Sequence, residues 1–317
     1  MAISGSTVYI TATVWGSPQS GGYWANGLWT QLLGSGTVAG VVVAGGHIYM
    51  AGTDETNSAT TGSVPVYWTD GSTKEQSLPQ GTEFGNQNGA GFIACGEGNN
   101  TPIVASGSDV YIAGNTWDWN GTASTAVPIV WKNFQILYQG TFGTSYHALS
   151  LAVNGSNVYV VGATDSSASN WVDTNTCTAV SWKNGIPTLL SNSSQTTAFL
   201  IAAGVDVYAA GEPTYPWGET NPLTPLFWKD GSSAIFSYVG SDTNARVQAM
   251  LSVGNDVFIY GATGMAPTTP TGDFNYSYPV HAVYWKDGTL TQLSVAVRVL
   301  IVDSGSVGYG IPYLSLP

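Results

Sequence analysis

The sequence predicts an all-β fold, a six-bladed β-propeller with four antiparallel strands per blade, and three observations lead there. A phrase of the form Val-Tyr-x-x-Gly recurs along the chain, at Val8-Tyr9, Ile48-Tyr49, Val110-Tyr111, Val158-Tyr159, Val207-Tyr208 and Val257-Phe258. Six tryptophans alternate with these copies, at Trp24, Trp68, Trp131, Trp182, Trp228 and Trp285, each running into turn residues. The pieces between are strand-like, β-branched and aromatic, with no helical periodicity. A period of about 50 residues built only from strands belongs to a radially repeated sheet.

The copy from His147 to Leu190 justifies each strand in order. Leu149-Ser150-Leu151-Ala152-Val153 alternates large and small residues, as a strand packed between neighbouring sheets requires. Asn154-Gly155-Ser156-Asn157 is turn chemistry. Val158-Tyr159-Val160-Val161-Gly162 forms the second strand, Ala179-Val180-Ser181-Trp182 the third, and Thr188-Leu189-Leu190 the outer fourth. Asn184-Gly185 closes the last hairpin, and Asn26-Gly27, Asp70-Gly71, Asp230-Gly231 and Asp287-Gly288 match it. The repeat runs from end to end, so residues 1–317 read as a single domain.

The chain opens with Ile3-Ser4-Gly5-Ser6 before Val8 and ends with a good inner strand, Val299-Leu300-Ile301-Val302, before Val307-Gly308-Tyr309. Closure is therefore expected by pairing of the amino- and carboxyl-terminal segments, with the carboxyl-terminal strand beside Val8–Ile10. Residues 307–317 are then surplus and offer an edge for self-association.

The strand order resembles that of kelch-type propellers, without their Gly-Gly doublet. The turns Trp182-Lys183-Asn184-Gly185, Trp228-Lys229-Asp230-Gly231 and Trp285-Lys286-Asp287-Gly288 resemble those of secreted bacterial repeat propellers. The resemblance implies a fold and an extracellular or cell-surface location; it carries no active-site residues.

Composition narrows the function classes. Charged residues are 8% of the chain against roughly 25% in typical soluble domains. A net charge of −12 with seven basic residues argues against nucleic acid and anionic membrane as partners. No apolar run reaches the roughly 18 residues of a membrane span. Met1-Ala2-Ile3-Ser4-Gly5 lacks the basic and apolar regions of an export signal. Cys95 and Cys177 occupy non-equivalent places in different repeats, and spacing leaves their pairing open.

The loops between second and third strands are long and hold most of the aromatics and acids that the repeat does not explain. A second insertion, Phe84 to Asn100, joins a fourth strand to the next first strand and is expected on the same face. Variable loops on a rigid scaffold carry function. The candidate ligand-binding residues are Trp15, Trp117, Asp118, Trp119, Asn120, Trp171, Trp217 and Tyr276, with His147 at the channel mouth. Indole faces beside carboxylates and amides suit a neutral glycan or other small polar ligand.

The repeat tryptophans recur at one structural position and are read as packing. Four of the five lysines follow them, as stems reaching a solvated turn. His47, His147 and His281 do not pair at ligand spacing, so no metal or other cofactor is assigned. The acidic loops offer oxygens to calcium, but no Asp-x-Asp-x-Asp-Gly loop is present. Catalysis is not assigned either; a polysaccharide hydrolase would need two carboxylates about 5–10 Å apart. A non-catalytic ligand-binding propeller is the leading expectation, with an assembly subunit and a hydrolase as alternatives.

Overall fold

In the computed structural model the described residues are 1–14, 20–32, 36–56, 64–79, 90–91, 102–119, 124–140, 145–165, 177–191, 196–213, 226–242, 244–264 and 280–297. They form six four-stranded antiparallel sheets, each with its strands in sequence order. The first blade is β1 (Ala2–Ser4), β2 (Thr7–Val14), β3 (Ser20–Ala25) and β4 (Leu28–Gln31). The second is β5 (Gly36–Ala44), β6 (His47–Asp54), β7 (Val64–Thr69) and β8 (Gln76–Ser77). A short strand, β9 (Ala90–Gly91), precedes the third blade of β10 (Ile103–Ser106), β11 (Asp109–Trp119), β12 (Ser124–Lys132) and β13 (Gln135–Gln139). The fourth holds β14 (Ser145–Asn154), β15 (Asn157–Asp165), β16 (Thr178–Lys183) and β17 (Ile186–Leu189). The fifth holds β18 (Thr196–Ala203), β19 (Val207–Pro213), β20 (Leu226–Lys229) and β21 (Ser232–Ala234). The sixth holds β22 (Asn244–Val253), β23 (Asp256–Gly264), β24 (Val280–Lys286) and β25 (Thr289–Val297). No helix occurs among the described residues. The expected propeller architecture of six four-stranded blades is what the chain forms.

The third-to-fourth hairpin explains the repeated turn. Asn26, Asp70, Asn133, Asn184, Asp230 and Asp287 all have φ between 47° and 53°. Asn and Asp tolerate this left-handed region because their short polar side chains bond locally. Here the bond reaches across the blade. In every copy the side-chain Oδ1 accepts from the N–H of the residue that opens the Val-Tyr phrase. The distances run 3.0, 3.0, 2.9, 2.8, 2.9 and 2.8 Å for Val8, Ile48, Val110, Val158, Val207 and Val257. The turn residue's own N–H donates back to that residue's carbonyl, at 2.8–3.1 Å in all six.

The lysine next to the turn has a partner too. Lys132, Lys229 and Lys286 pair with Asp109, Asp206 and Asp256 at 2.7, 2.6 and 2.7 Å. Lys132, Lys183, Lys229 and Lys286 lie over the rings of Tyr111, Tyr159, Tyr208 and Phe258. The stem-and-solvated-head expectation thus gains a cation–π contact and, in three copies, an ion pair.

The repeated glycine has a different cause. In blades two, four, five and six the first strand carries a bulge, where the register shifts at Val38/Gly40, Ala148/Ser150, Ala198/Leu200 and Val247/Ala249. The residue paired just before each shift is the phrase glycine: Gly52, Gly162, Gly211 or Gly261. A Cβ at Gly52 would lie 2.1 Å from the Thr37 carbonyl oxygen. Only glycine admits the inner strand so closely as it bends.

Packing between blades comes from the tryptophans. Trp68, Trp131, Trp182, Trp228 and Trp285 are at most 3% exposed, each turned toward the preceding blade. Five apolar clusters join consecutive blades from first to sixth. Indole N–H groups tie three of these junctions: Trp131 Nε1 donates to Pro79 O at 2.7 Å, Trp228 Nε1 to Leu190 O at 2.7 Å, and Trp285 Nε1 to Ser237 O at 2.9 Å. These acceptors lie within three residues after the outer strand of the preceding blade, so one indole fixes both spacing and height.

One terminal expectation changes. The inner position opposite Thr7–Tyr9 is held by β1, with Ala2 paired to Tyr9 and Ile3 to Val8. The first blade therefore supplies its own inner strand beside Val8 and Tyr9. Residues 299–302 and the surplus 307–317 lie outside the described residues, as does Cys95. Cys177 is fully buried ahead of β16.

Two predictions follow from the turn. Asn184→Ala loses an acceptor and forces alanine into left-handed backbone, costing about 2–3 kcal/mol in urea unfolding. Asn184→Gly keeps the backbone and loses only the bond, costing about 1 kcal/mol. At Asp70, the His47 hydrogen bond (2.7 Å) and then the Ile48 N–H hold the carboxyl below its ordinary value of 3.8. A depressed carboxyl contributes stability that is present above the ordinary pKa and lost as pH falls through the folded one. Asp70→Asn should lower the neutral-pH melting temperature slightly and flatten the loss of stability below about pH 4, read from thermal melts across pH.

Candidate functional site

The second strands all run from the turn face to the opposite face, where their long connections begin. Asp54 ends β6, Asp165 ends β15, and β11 carries Trp117-Asp118-Trp119 at its far end. The second insertion reaches the same level, since β9 pairs with Asn115 and Thr116 of β11. The described ends of these strands and β9 therefore lie on one face.

Trp117, Asp118 and Trp119 were expected in a loop but belong to strand. They pair with Ala126, Thr125 and Ser124 of β12, prolonging the hairpin of the third blade. β11 has 11 residues against seven to nine in the other second strands. The β-favouring Thr116, Trp117 and Trp119 on one strand and Thr125 and Val127 on the other explain the extension. Positions 117 and 119 fall on one face of that ribbon and 118 on the other. Asn115, at the base of the hairpin, is fully buried and bonds the fourth blade. It accepts from Ala148 N at 2.7 Å and donates to Ala148 O at 3.1 Å. The next residue along the inner strand toward the loop face is His147, paired in register with Ala163. Trp15, Asn120, Trp171, Trp217 and Tyr276 lie outside the described residues.

On the sixth blade the same face holds a constellation with no local trace in the sequence. Asp242, in the connection from fifth to sixth blade, is 5% exposed. Its Oδ2 accepts from the Thr263 hydroxyl at 2.5 Å and from His281 Nδ1 at 2.8 Å. An ionised carboxylate only accepts, so the proton of that bond sits on Nδ1. In neutral His281, Nε2 then carries the lone pair, an arrangement suited to taking a hydrogen bond or a proton. Thr263 is buried near the end of β23, and His281, near the start of β24, is one-third exposed. The pair spans 39 residues of sequence. A search for histidines spaced to share a metal could not find a histidine paired with an aspartate.

Asp54 and Glu75 on the second blade engage each other and their own turn. Asp54 Oδ1 accepts from the N–H and hydroxyl of Thr56 at 2.9 and 2.6 Å, a local turn. Burial, and then the charge and hydrogen bond of Asp54, hold the Glu75 carboxyl above its usual range. Carboxyls in hydrogen-bond contact are closer than the roughly 5 Å of a retaining glycosidase pair. Among the described residues no group of three or more His, Cys, Asp or Glu could hold a metal ion.

No protein-family model matches the chain, and a comparison with curated protein sequences gives no match. Solved structures are similar at the level of fold. The acylaminoacyl peptidase of Pyrococcus horikoshii is 9% identical with a TM-score of 0.46, over 91% of this chain and 43% of that one. The β-propeller domain of the Trilobed protease from Pyrococcus furiosus is 8% identical with a TM-score of 0.46, over 92% of this chain and 82% of the domain. The GH43 endo-arabinanase from Bacillus licheniformis is 11% identical with a TM-score of 0.31, over 79% and 95%. The chain spans less than half the length of the peptidase. These likenesses concern architecture and assign no activity.

Removing the carboxylate should isolate its role. Asp242→Ala leaves a buried hydroxyl and an imidazole N–H without their acceptor, at a cost of about 1–3 kcal/mol in chemical unfolding. It also frees the His281 ring, so the ring's NMR signals should broaden or move to those of a solvated imidazole. Unchanged stability and ring signals would show that Asp242 does not hold the histidine.

Proposed function

We propose that the chain is a secreted or cell-surface, non-catalytic propeller that binds a neutral, polyhydroxylated ligand, a glycan, through its long-loop face. The observation that carries this reading is the prolonged β11–β12 hairpin, which places Trp117 and Trp119 two positions apart in one paired strand. A sugar ring offers a C–H face to indole and hydroxyls to carboxylate or amide. Asp118 and the Asp242-held His281 supply polar groups of the required kind on the same face of the disc. The low charge of the chain suits an uncharged ligand, and the Trp-Lys-Asn/Asp-Gly turns support the resemblance to secreted repeat propellers.

Calorimetric titration with a panel of neutral oligosaccharides tests the reading. Trp117→Ala and Trp119→Ala should each weaken the best ligand about tenfold, the worth of one aromatic contact of roughly 1.4 kcal/mol. Their unfolding midpoints should stay close to that of the parent chain. Binding by neither the parent nor any variant, with the hairpin folded, would refute the glycan reading.

A further inference from the structure

Packing explains the regular part of each blade, but it does not ask for Asp242, Thr263 and His281. Two residues past the phrase glycine, or past Ala12 in its place, the second strand pairs with the third. In blades one to four the third-strand partner at that level is Ser20, Val64, Val127 or Thr178, small and not ionisable. On the sixth blade the same level pairs Thr263 with His281. Hydrogen bonding here is one-sided. Asp242 Oδ2 takes both donors, the Thr263 hydroxyl and His281 Nδ1. Asp242 Oδ1 and His281 Nε2 have no partner among the described residues, and neither is among the buried unpaired atoms, so neither is sealed from solvent. An ionised carboxylate only accepts, and so does Nε2 of a neutral ring whose proton is on Nδ1. The site therefore offers two free acceptors and no free donor.

We propose that Asp242 Oδ1 and His281 Nε2 form a second carbohydrate subsite, on the sixth blade, that accepts hydrogen bonds from the hydroxyls of a neutral sugar. It rests on the glycan reading above for its ligand class, yet it needs neither tryptophan of the hairpin. Thr263 and His281 share one oxygen of a carboxylate that is 5% exposed, so the ring is oriented before a ligand arrives. Such preorganisation lowers the ordering cost of binding. Water occupies acceptors of this kind as a donor, and a ligand displaces it by bringing donors of its own. Protonating the ring reverses one acceptor. Nε2–H of imidazolium donates, and either a hydroxyl or an ether oxygen can receive that bond. A sugar with the contacting hydroxyl O-methylated is thus rejected by the neutral ring and admitted by the protonated one. Among the described residues, Asp242 is the ionisable group in contact with the ring. The neighbours of His281 in register, Thr263 on β23 and Ala296 on β25, carry no charge. β22 contributes one charged residue, Arg246, in register with Ala262.

The ring NMR signals of His281, in the full-length chain carrying Trp117→Ala and Trp119→Ala, read this subsite apart from the hairpin. Methyl glycosides of neutral hexoses should move the His281 signals saturably and leave those of His47, on the opposite face, in place. With the ring neutral, at least one singly O-methylated congener should bind about tenfold more weakly than its parent sugar. With the ring protonated, as its own signals report, that gap should shrink below about threefold, which a steric clash with the methyl group does not do. Asp242→Ala should erase the pH dependence; if it persists there, Asp242 does not position the ring and the proposal is overturned. If that variant unfolds, the comparison of the two ring states decides. Signals that no sugar moves, or a gap equal in both ring states, overturn the subsite and leave the hairpin reading intact. A response to methylammonium chloride but to no sugar assigns the acceptors to a cation and overturns it as well. A responding ring in a chain whose hairpin tryptophans contribute nothing to affinity refutes the hairpin and keeps the subsite.

Discussion

A four-stranded blade has two apolar faces and can bury them only between two other blades. Everything regular in this sequence answers that constraint. In blades two to six the tryptophan of the third strand fills the space toward the preceding blade, and the second-strand aromatic of that preceding blade receives it. Burying one such indole is worth several kcal/mol, so successive junctions hold without ion pairs. A chain with 8% charged residues needs this arrangement, because it has little else with which to fix one blade on the next.

The packed faces require blades of fixed width and pitch, and the turn residue provides them. By bonding back to the start of the second strand with both side chain and backbone, it ties the third strand to the second at the turn face. The lysine then closes over the second-strand ring. At the other end of the same strand, glycine lets the inner strand bulge and bend. One strand thus carries three separate geometric duties: a clasp at its start, a ring in its middle and a close approach near its end. That is why Val-Tyr-x-x-Gly is the most constant phrase in the chain.

Much of this was legible in the sequence because it is local and repeated. The turn, the second strand and the tryptophan each lie within a few residues of their defining neighbours, and six copies cancel the ambiguity of any one. The inner-strand bulges were not legible, since the unpaired residues Ala39, Leu149 and Gln248 have nothing in common except that each follows a residue paired with a glycine. Trp117-Asp118-Trp119 reads as loop by composition, yet it extends a strand because a compatible partner, Ser124–Ala126, happens to face it. The Asp242–His281 pair was invisible for a stricter reason. It joins a connecting segment to a strand 39 residues later, and only the folded blade makes them neighbours.

The two faces of the disc differ because their connections obey different physics. On one face every hairpin is tight, and its polar groups are already engaged by the clasp, so substitution there alters stability first. On the other face the second-to-third connections are released from any fixed length, because the strands they join are held at their opposite ends. Freedom of sequence on that face follows from rigidity on this one. A prolonged hairpin and a buried carboxylate holding an imidazole can therefore arise there without disturbing the blade beneath.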